Sequence, residues 1–233
     1  MKSLYDSNID FDEDFFRNIV SRRKSEDLFD DLTGDDPNLH DVAVQAEMRV
    51  KKDIPRGVIS RGFHYSTAIE YPFLTEPYVA SRYSDGSFPV LYGSVDLETT
   101  IYETAYHMAK FESQSEGIDE IIVRDRAVYL MHGRAVLIDL TNKGSDFSQL
   151  LSNEYSFTQQ IGKRLSQEGH PGVMAPSARC QGINVVFFKI EVLSDPRMHC
   201  YLTYRLDPRS WTITVERQPG EVINIVEAAR WIH

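Results

Sequence analysis

The sequence predicts a mixed α+β domain, and three observations lead to that class. From Gly57 onward, short runs of β-branched and aromatic residues alternate with clusters of Gly, Pro, Asp and Ser, which is typical of strands separated by turns. One strong amphipathic helix is indicated near the middle of the chain. Strands and helices do not alternate regularly, and no GxGxxG follows a strand, so a doubly wound dinucleotide fold is not supported.

The first 55 residues form an acidic segment that differs from the rest of the chain. They contain 14 acidic and 8 basic side chains, a net charge of −6, against −4 for the remaining 178 residues. Apolar residues recur at helical spacing near the start of this segment: Phe11, Phe15, Phe16, Ile19 and Val20. A second, less regular apolar stretch spans 39–48. We therefore predict an N-terminal helical extension over 1–55, either two short helices packed on the main domain or an acidic docking element for a partner.

Seven strands and two helices are predicted in the main domain, residues 56–233. The strand candidates are GVISRGFHY, FPVLYGSV, EIIVRDRAVYL, RAVLIDL, INVVFFKI, HCYLTYRL and WTITVE. The segment LETTIYETAYHMAKF carries one apolar stripe that starts at Leu97, and Asp96 precedes it as a candidate N-cap. The second helix covers FTQQIGKRLSQEG and ends at Gly169.

Composition and charge exclude several classes of function. The chain has 233 residues, 42% of them hydrophobic and 26% charged, which is enough for one globular domain with a real core. A net charge of −10 and a pI near 5.2 disfavour nucleic-acid binding, because the surface repels phosphate backbones. The apolar runs are far shorter than the roughly 20 residues of a membrane span. The acidic start does not resemble a signal peptide, so we expect a cytoplasmic protein. Two cysteines and seven histidines show neither CxxC nor HExxH, so no disulfide framework or metal site is expected.

The segment SRGFHYS contains the first candidate site residues. Arg61 and Tyr65 share one face of a predicted strand. An arginine in this position can bind a phosphate or carboxylate through two parallel hydrogen bonds while an aromatic ring stacks on a base. An edge-strand arginine that extends into solvent explains the same pattern.

The segment SRYSDGSFPVLYGSVDLETTIYET contains the second group of candidates. Tyr92 and Ser94 alternate along a predicted strand, and Glu103 lies on the helix that follows, away from its apolar stripe. A carboxylate there can stabilise an oxocarbenium-like centre, orient a ribose hydroxyl or activate a nucleophile, as N-glycosidic chemistry requires. A solvated glutamate, or an i, i+4 pair with His107, explains the same spacing.

The segment GHPGVMAPSARCQGINVVFF places Ser177 and Arg179 just before a very apolar strand. A hydroxyl and exposed backbone N–H groups can meet an anionic ligand in such a turn. The pattern is not GxSxG, so Ser177 is not interpreted as an acyl-transfer nucleophile. A polar connection into a core strand is the alternative interpretation.

Taken in this order, the segments resemble the RES domain, the toxin component of a family of bacterial toxin–antitoxin pairs named after an Arg, a Glu and a Ser. The resemblance covers about 61–189. Its strongest part is Arg82 in SRYSDG, followed ten positions later by Tyr92 and eleven positions after that by Glu103. The third letter of the name matches Ser177 in APSARCQGINVVFF.

The resemblance implies an α+β core similar to that of ADP-ribosylating toxins and an NAD+ glycohydrolase or NAD+ phosphorylase activity. Family members deplete cellular NAD+ by breaking the bond between nicotinamide and ribose, with water or inorganic phosphate as acceptor. NAD+ is then a substrate, and no cofactor is expected. The family's antitoxin is of the Xre type and carries a helix-turn-helix domain. We therefore expect a hetero-oligomer with the antitoxin and no direct nucleic-acid binding by this chain.

Carried over residue by residue, the resemblance also implies roles in the site. Arg61 and Arg82 hold the pyrophosphate or the phosphate acceptor, and Tyr92 packs near the nicotinamide or its ribose. Glu103 polarises that ribose, and Ser177 binds the ligand or positions the carboxylate. Two further candidates for substrate binding lie outside the three-letter signature: Tyr65 and Ser94.

Two other functions stay open at this point. A mono-ADP-ribosyltransferase would use the same NAD+ site with a protein as acceptor. Position 101 is Ile, so the chain lacks the acidic residue two positions before Glu103 that Arg-modifying transferases carry, and this favours small-molecule acceptors. A non-catalytic binding module, whose acidic first quarter docks a basic partner, is the third possibility.

Overall fold

The computed structural model describes residues 4–21, 66–74, 77–115 and 117–232. Its strands are β1 (Asn8–Val20), β2 (Leu91–Ser94), β3 (Ile122–Asp139), β4 (Gly172–Pro176), β5 (Ile183–Phe187), β6 (Leu193–Asp207), β7 (Thr212–Glu216) and β8 (Val222–Glu227). The α-helices are α1 (Tyr71–Leu74), α2 (Leu97–Glu112) and α3 (Ser156–Gln167). A π-helical turn spans Ser66–Glu70, and short 3-10 helices span Ser148–Leu151, Ile190–Val192 and Ala228–Trp231.

The described strands form one mixed sheet with the order β1-β2-β5-β4-β3-β6-β7-β8. β1 pairs with β3 as well as with β2, so five of the strands, β1, β2, β5, β4 and β3, close into a ring. β6, β7 and β8 extend the sheet outward from β3. Sheet and helices together confirm the predicted mixed α+β class.

Residues 8–20 form a strand, so the helix predicted for this part of the N-terminal segment is wrong. Every residue of β1 pairs antiparallel with a residue of β3. Phe11 and Phe15 are 2% and 0% exposed. Because a spacing of four residues places two side chains on one face of a strand as well as of a helix, the spacing alone does not separate the two. The apolar segment 39–48 and the predicted domain boundary at residue 55 lie outside the described residues.

β3 is one continuous strand of 18 residues, whereas the sequence predicts two shorter strands. Its pairing register with β6 shifts between Val128 and Tyr129 and again between Leu130 and His132. Such bulges let a long strand bend without ending. Gly133 of β3 makes room for a core side chain, because a Cβ there would lie 2.8 Å from the ring of Phe187.

Two strands do not appear among the sequence predictions. β4 follows Pro171 and ends at Pro176, so its residues resemble a turn-rich connection, yet its first four are buried between β3 and β5. β8 lies in the C-terminal tail and pairs with β7. The predicted strands that contain β2, β5 and β7 are confirmed, and HCYLTYRL is confirmed as the second half of the longer β6. The predicted strand GVISRGFHY lies outside the described residues.

Both predicted helices are confirmed. The Asp96 carboxylate accepts a hydrogen bond from the Thr99 backbone N–H at 2.6 Å and so caps α2. Ile101 and Ala105, on the predicted apolar stripe, are 2% and 0% exposed. Gly169 has a φ of +81°, the left-handed conformation that ends a helix, just after α3.

α3 packs directly on the turn that carries Arg82. A Cβ at Gly162 of α3 would lie 1.8 Å from the Tyr83 carbonyl oxygen, so only glycine permits this approach. The Gln159 side-chain amide donates to the Ser81 carbonyl at 3.0 Å. These contacts fix the turn at residues 81–84 relative to the sheet.

Candidate active site

A cavity of about 650 Å³ opens between α2 and the strand ring. This volume lies within the range of about 300–1,000 Å³ that is typical of small-molecule sites. Of the described side chains that line it, Arg82, Lys110 and Arg126 are cationic and Glu103 is the single carboxylate. The cavity is therefore locally positive in a chain whose net charge is −10, which favours an anionic ligand.

Glu103 projects from α2 into the cavity wall and is held through one oxygen. Its Oε1 accepts a hydrogen bond from the Ser177 hydroxyl at 2.7 Å and another from the Asn184 side-chain N–H at 2.7 Å. No hydrogen bond among the described residues uses Oε2. The carboxylate is thus fixed in orientation while one oxygen remains available to a ligand.

Ser177 lies directly after β4 and is only 6% exposed. Its hydroxyl oxygen accepts from the Arg179 backbone N–H at 3.0 Å while the hydroxyl donates to Glu103. Its own backbone N–H donates to the Gly182 carbonyl at 2.8 Å. The backbone N–H of Arg179, one of the turn N–H groups predicted to meet an anion, therefore binds the Ser177 hydroxyl instead. The Ser177 hydroxyl in turn positions the Glu103 carboxylate.

Asn184, a site residue that sequence reasoning missed, connects Ser94 to Glu103. The Ser94 hydroxyl donates to the Asn184 side-chain oxygen at 2.7 Å, and the amide nitrogen of the same side chain donates to Glu103. These two bonds assign the amide orientation. The available signal was a polar residue inside the apolar run INVVFF of a buried strand.

Arg82 lies on the cavity wall, but part of its guanidinium group is committed to the protein itself. Its Nη1 donates to the backbone carbonyls of Leu150 and Ser152 at 3.1 and 2.7 Å, and its Cζ lies 4.6 Å from the centre of the Tyr155 ring. Nη2 is buried and has no hydrogen-bond partner among the residues that the structure describes. Arg82 therefore holds the 3-10 helix against the site and adds positive charge there.

Tyr92 lines the cavity with its ring while its hydroxyl binds the turn that carries Arg82. The hydroxyl oxygen accepts from the Tyr83 backbone N–H at 2.7 Å and lies 2.9 Å from the Ser81 hydroxyl. Burial raises the pKa of Tyr92 to about 12, so the phenol stays neutral at physiological pH. Its contribution to the site is an apolar surface and a fixed turn.

The structure thus brings together Glu103, Ser177 and Ser94 through hydrogen bonds and places Arg82 and Tyr92 on the same cavity. Arg61 and Tyr65, the remaining predicted site residues, lie outside the described residues.

The model of the RES domain family matches residues 54–207. The match spans more than half of the sequence, and the chain therefore belongs to the RES domain family. β1 precedes the matched residues.

Other comparisons give a distant structural relative. The chain is similar to the crystal structure of the MbcT–MbcA toxin–antitoxin complex of M. tuberculosis, with 11% sequence identity, 88% of this chain and 89% of that chain covered, and a TM-score of 0.43. Among curated proteins, none matches this sequence.

Two further features bear on the kind of site. No helix in the part of the chain that the structure describes is long and apolar enough to cross a membrane. Among the same residues, no group of three or more His, Cys, Asp or Glu side chains is arranged to hold a metal ion.

Proposed function

We propose that this chain is the toxin of a bacterial toxin–antitoxin pair and that it degrades NAD+ by cleaving the nicotinamide–ribose bond, with inorganic phosphate or water as acceptor. The observation that carries the proposal is the Glu103 carboxylate, oriented by Ser177 and Asn184 on the wall of a locally positive cavity. Membership of the RES domain family supports the same reaction, because the resemblance to that family implies roles in NAD+ cleavage for four residues of this site: Arg82, Tyr92, Glu103 and Ser177.

The chemistry needs only one carboxylate. The bond between C1′ of the ribose and the pyridinium nitrogen breaks, and both bonding electrons leave with nicotinamide, which becomes neutral. Because the leaving group already carries positive charge, it needs no general acid, unlike the leaving group of an O-glycoside. The positive charge that develops on C1′ is stabilised by a preorganised anion, and Oε2 of Glu103 is the oxygen free to approach that ribose.

The acceptor completes the reaction. Water adds to C1′ and releases one proton, so that NAD+ and water give ADP-ribose, nicotinamide and H+. Inorganic phosphate in place of water gives ADP-ribose 1″-phosphate. The positive lining of the cavity favours both the pyrophosphate of NAD+ and a phosphate acceptor.

The toxin acts in the cytoplasm in this proposal, and an Xre-type antitoxin with a helix-turn-helix domain controls it. The net charge of −10 fits a division of labour in which the antitoxin, rather than this chain, contacts DNA.

The direct test is NAD+ consumption by the purified chain and by its Glu103→Gln variant, each with and without inorganic phosphate, with products separated by chromatography. We expect free nicotinamide from the wild type and a loss of at least about 100-fold in rate for Glu103→Gln, because the variant keeps the side-chain shape but loses the charge that stabilises C1′. ADP-ribose or its 1″-phosphate identifies the acceptor.

Glu98→Gln is the matched control, since Glu98 is an exposed carboxylate in the first turn of the same helix. It should be as active as the wild type. A fully active Glu103→Gln protein would refute the proposed role. Labelled lysate proteins from tagged NAD+ would point to transferase activity, and bound but intact NAD+ would point to a binding module.

A further inference from the structure

Arg126 of β3 lies on the cavity wall and is held by β1. Its Nε donates to the Asn18 side-chain oxygen at 3.1 Å, and its Nη2 donates to the Asn18 backbone carbonyl at 3.3 Å. Both acceptors are neutral. No carboxylate in the described part of the chain forms an ion pair with Arg126, so none of these residues neutralises its charge.

The other arginines of β3 behave differently. Arg124 forms an ion pair with Glu112 at 2.7 Å, and Arg134 lies 3.5 Å from an Asp12 carboxylate oxygen. The protein surroundings of Arg126 withdraw it from water, and this desolvation lowers its pKa from the usual value, although an arginine remains charged at neutral pH. A desolvated cation without a carboxylate partner interacts strongly with an anion that enters the cavity.

Asn18, which holds Arg126, is itself held in place on the cavity wall. The Asn18 amide donates to the Tyr204 hydroxyl at 2.9 Å, and Tyr204 is 0% exposed. Thr104, next to Glu103, lines the same cavity as Asn18. The pairing of β1 links Asn18 to the site as well. β1 pairs with β2 through Phe16, opposite Ser94, and Asn18 lies two residues further on, a rise of about 7 Å.

We propose that Arg126 binds a phosphate group of the ligand and that Asn18 positions Arg126 for this role. The inference rests on the proposed function, because it assigns the phosphate to NAD+ or to the inorganic phosphate acceptor. Asn18 precedes the residues that the family model matches, 54–207. A strand outside the matched region thus completes this part of the site.

Binding is best measured by calorimetry in the Glu103→Gln background, where the substrate is not consumed. The probes are NAD+, inorganic phosphate, inorganic pyrophosphate and nicotinamide riboside, which carries no phosphate. Arg126→Gln should weaken the binding of NAD+ or of inorganic phosphate by about 10- to 100-fold, the usual range for a lost charge-assisted hydrogen bond. The affinity for nicotinamide riboside should not change.

Arg134→Gln is the matched control, because Arg134 lies on the same strand and contacts the same β1 but is 79% exposed. It should leave every affinity unchanged. Asn18→Asp is a second test that keeps the side-chain shape. It gives Arg126 a carboxylate partner, and we expect it to weaken phosphate binding as Arg126→Gln does. Thermal unfolding of each variant establishes that the fold is retained.

The outcomes separate the two sources of phosphate. Weaker NAD+ and pyrophosphate binding with unchanged phosphate binding assigns Arg126 to the dinucleotide, and the reverse assigns it to the acceptor. Unchanged affinities, or equal losses for NAD+ and nicotinamide riboside in a folded variant, overturn the inference. If the wild type leaves NAD+ intact, the proposed reaction fails, while the phosphate and pyrophosphate titrations still decide the role of Arg126.

Discussion

Asn184 forms hydrogen bonds with both Ser94 and Glu103. Its substitution therefore tests how the Glu103 carboxylate is oriented. Asn184→Leu removes the donor to Glu103 and the acceptor of the Ser94 hydroxyl. We expect the NAD+-cleavage rate to fall by about 100-fold, because a small misplacement of a catalytic group has an effect of that size. The measurement is the initial rate of nicotinamide release at saturating NAD+.

Asn224→Leu, on the outermost strand β8, provides the control for this substitution and should retain its rate. If Asn184→Leu stays folded and fully active, Asn184 does not orient the carboxylate.

At the residue scale, the sequence predicted the side chains that form a signature and missed those that orient them. Glu103 and Ser177 stand in recognisable segments, and the structure joins them by a hydrogen bond. Asn18 and Asn184 are single neutral residues inside strands. Their partners are distant in sequence, so no local pattern marks them. In the sequence, Arg126 resembles Arg124 and Arg134 of the same strand. Only the structure shows that these two form ion pairs and that no described carboxylate pairs with Arg126.

At the element scale, β1 is the part of the fold that the sequence predicted least well, although it carries two of the most buried aromatic rings. Phe15 is 0% exposed and packs against Phe187 with ring centroids 5.0 Å apart. A Cβ at Gly93 would lie 2.3 Å from the Phe15 ring, so glycine at this position of β2 leaves the room that the ring occupies. β1 is therefore an integral strand of the ring, and its loss should affect the whole domain.

Phe15→Ala tests this role of β1. We expect the free energy of unfolding to fall by about 3–5 kcal/mol, the usual cost of removing a buried phenylalanine side chain. Urea denaturation followed by circular dichroism measures the change. Val20→Ala, on the same strand but 68% exposed, should change stability by less than about 0.5 kcal/mol. Equal, small effects from both substitutions would mean that β1 does not contribute to cooperative unfolding.

Pairing between segments that are distant in sequence explains the other differences between predicted and observed elements. β4 is short and bounded by prolines, so its local sequence resembles a turn, and only pairing with β3 on one side and β5 on the other makes it a strand. α2 and α3 were predictable because their apolar spacing and end signals lie within the helix itself. Which segments become strands depends on their pairing with distant segments, and this pairing cannot be read from the local sequence.

At the scale of the whole molecule, the cavity depends on the closed ring, because its wall combines side chains from β1, α2, β3 and β5. Asn18, Glu103, Arg126 and Asn184 come from these four elements. Unfolding of any one of them removes part of the wall, so a ligand of this cavity should bind the native state alone. Ligand binding must then raise the stability of the entire domain.

Thermal unfolding of the Glu103→Gln protein measures that linkage. At an NAD+ concentration of about 100 times Kd, the native state gains about 2.7 kcal/mol. A chain of this size changes its Tm by roughly 2–4 °C for each kcal/mol, so a rise of about 5–11 °C is expected. If Arg126 contacts the dinucleotide, adding Arg126→Gln should reduce the rise by about half or more at the same NAD+ concentration, since a Kd at least about 10-fold higher leaves about 1.4 kcal/mol or less. An equal rise in both proteins would contradict a contact between Arg126 and a phosphate of NAD+ and leave only the phosphate acceptor for it, and no rise in either would mean that the cavity does not bind NAD+.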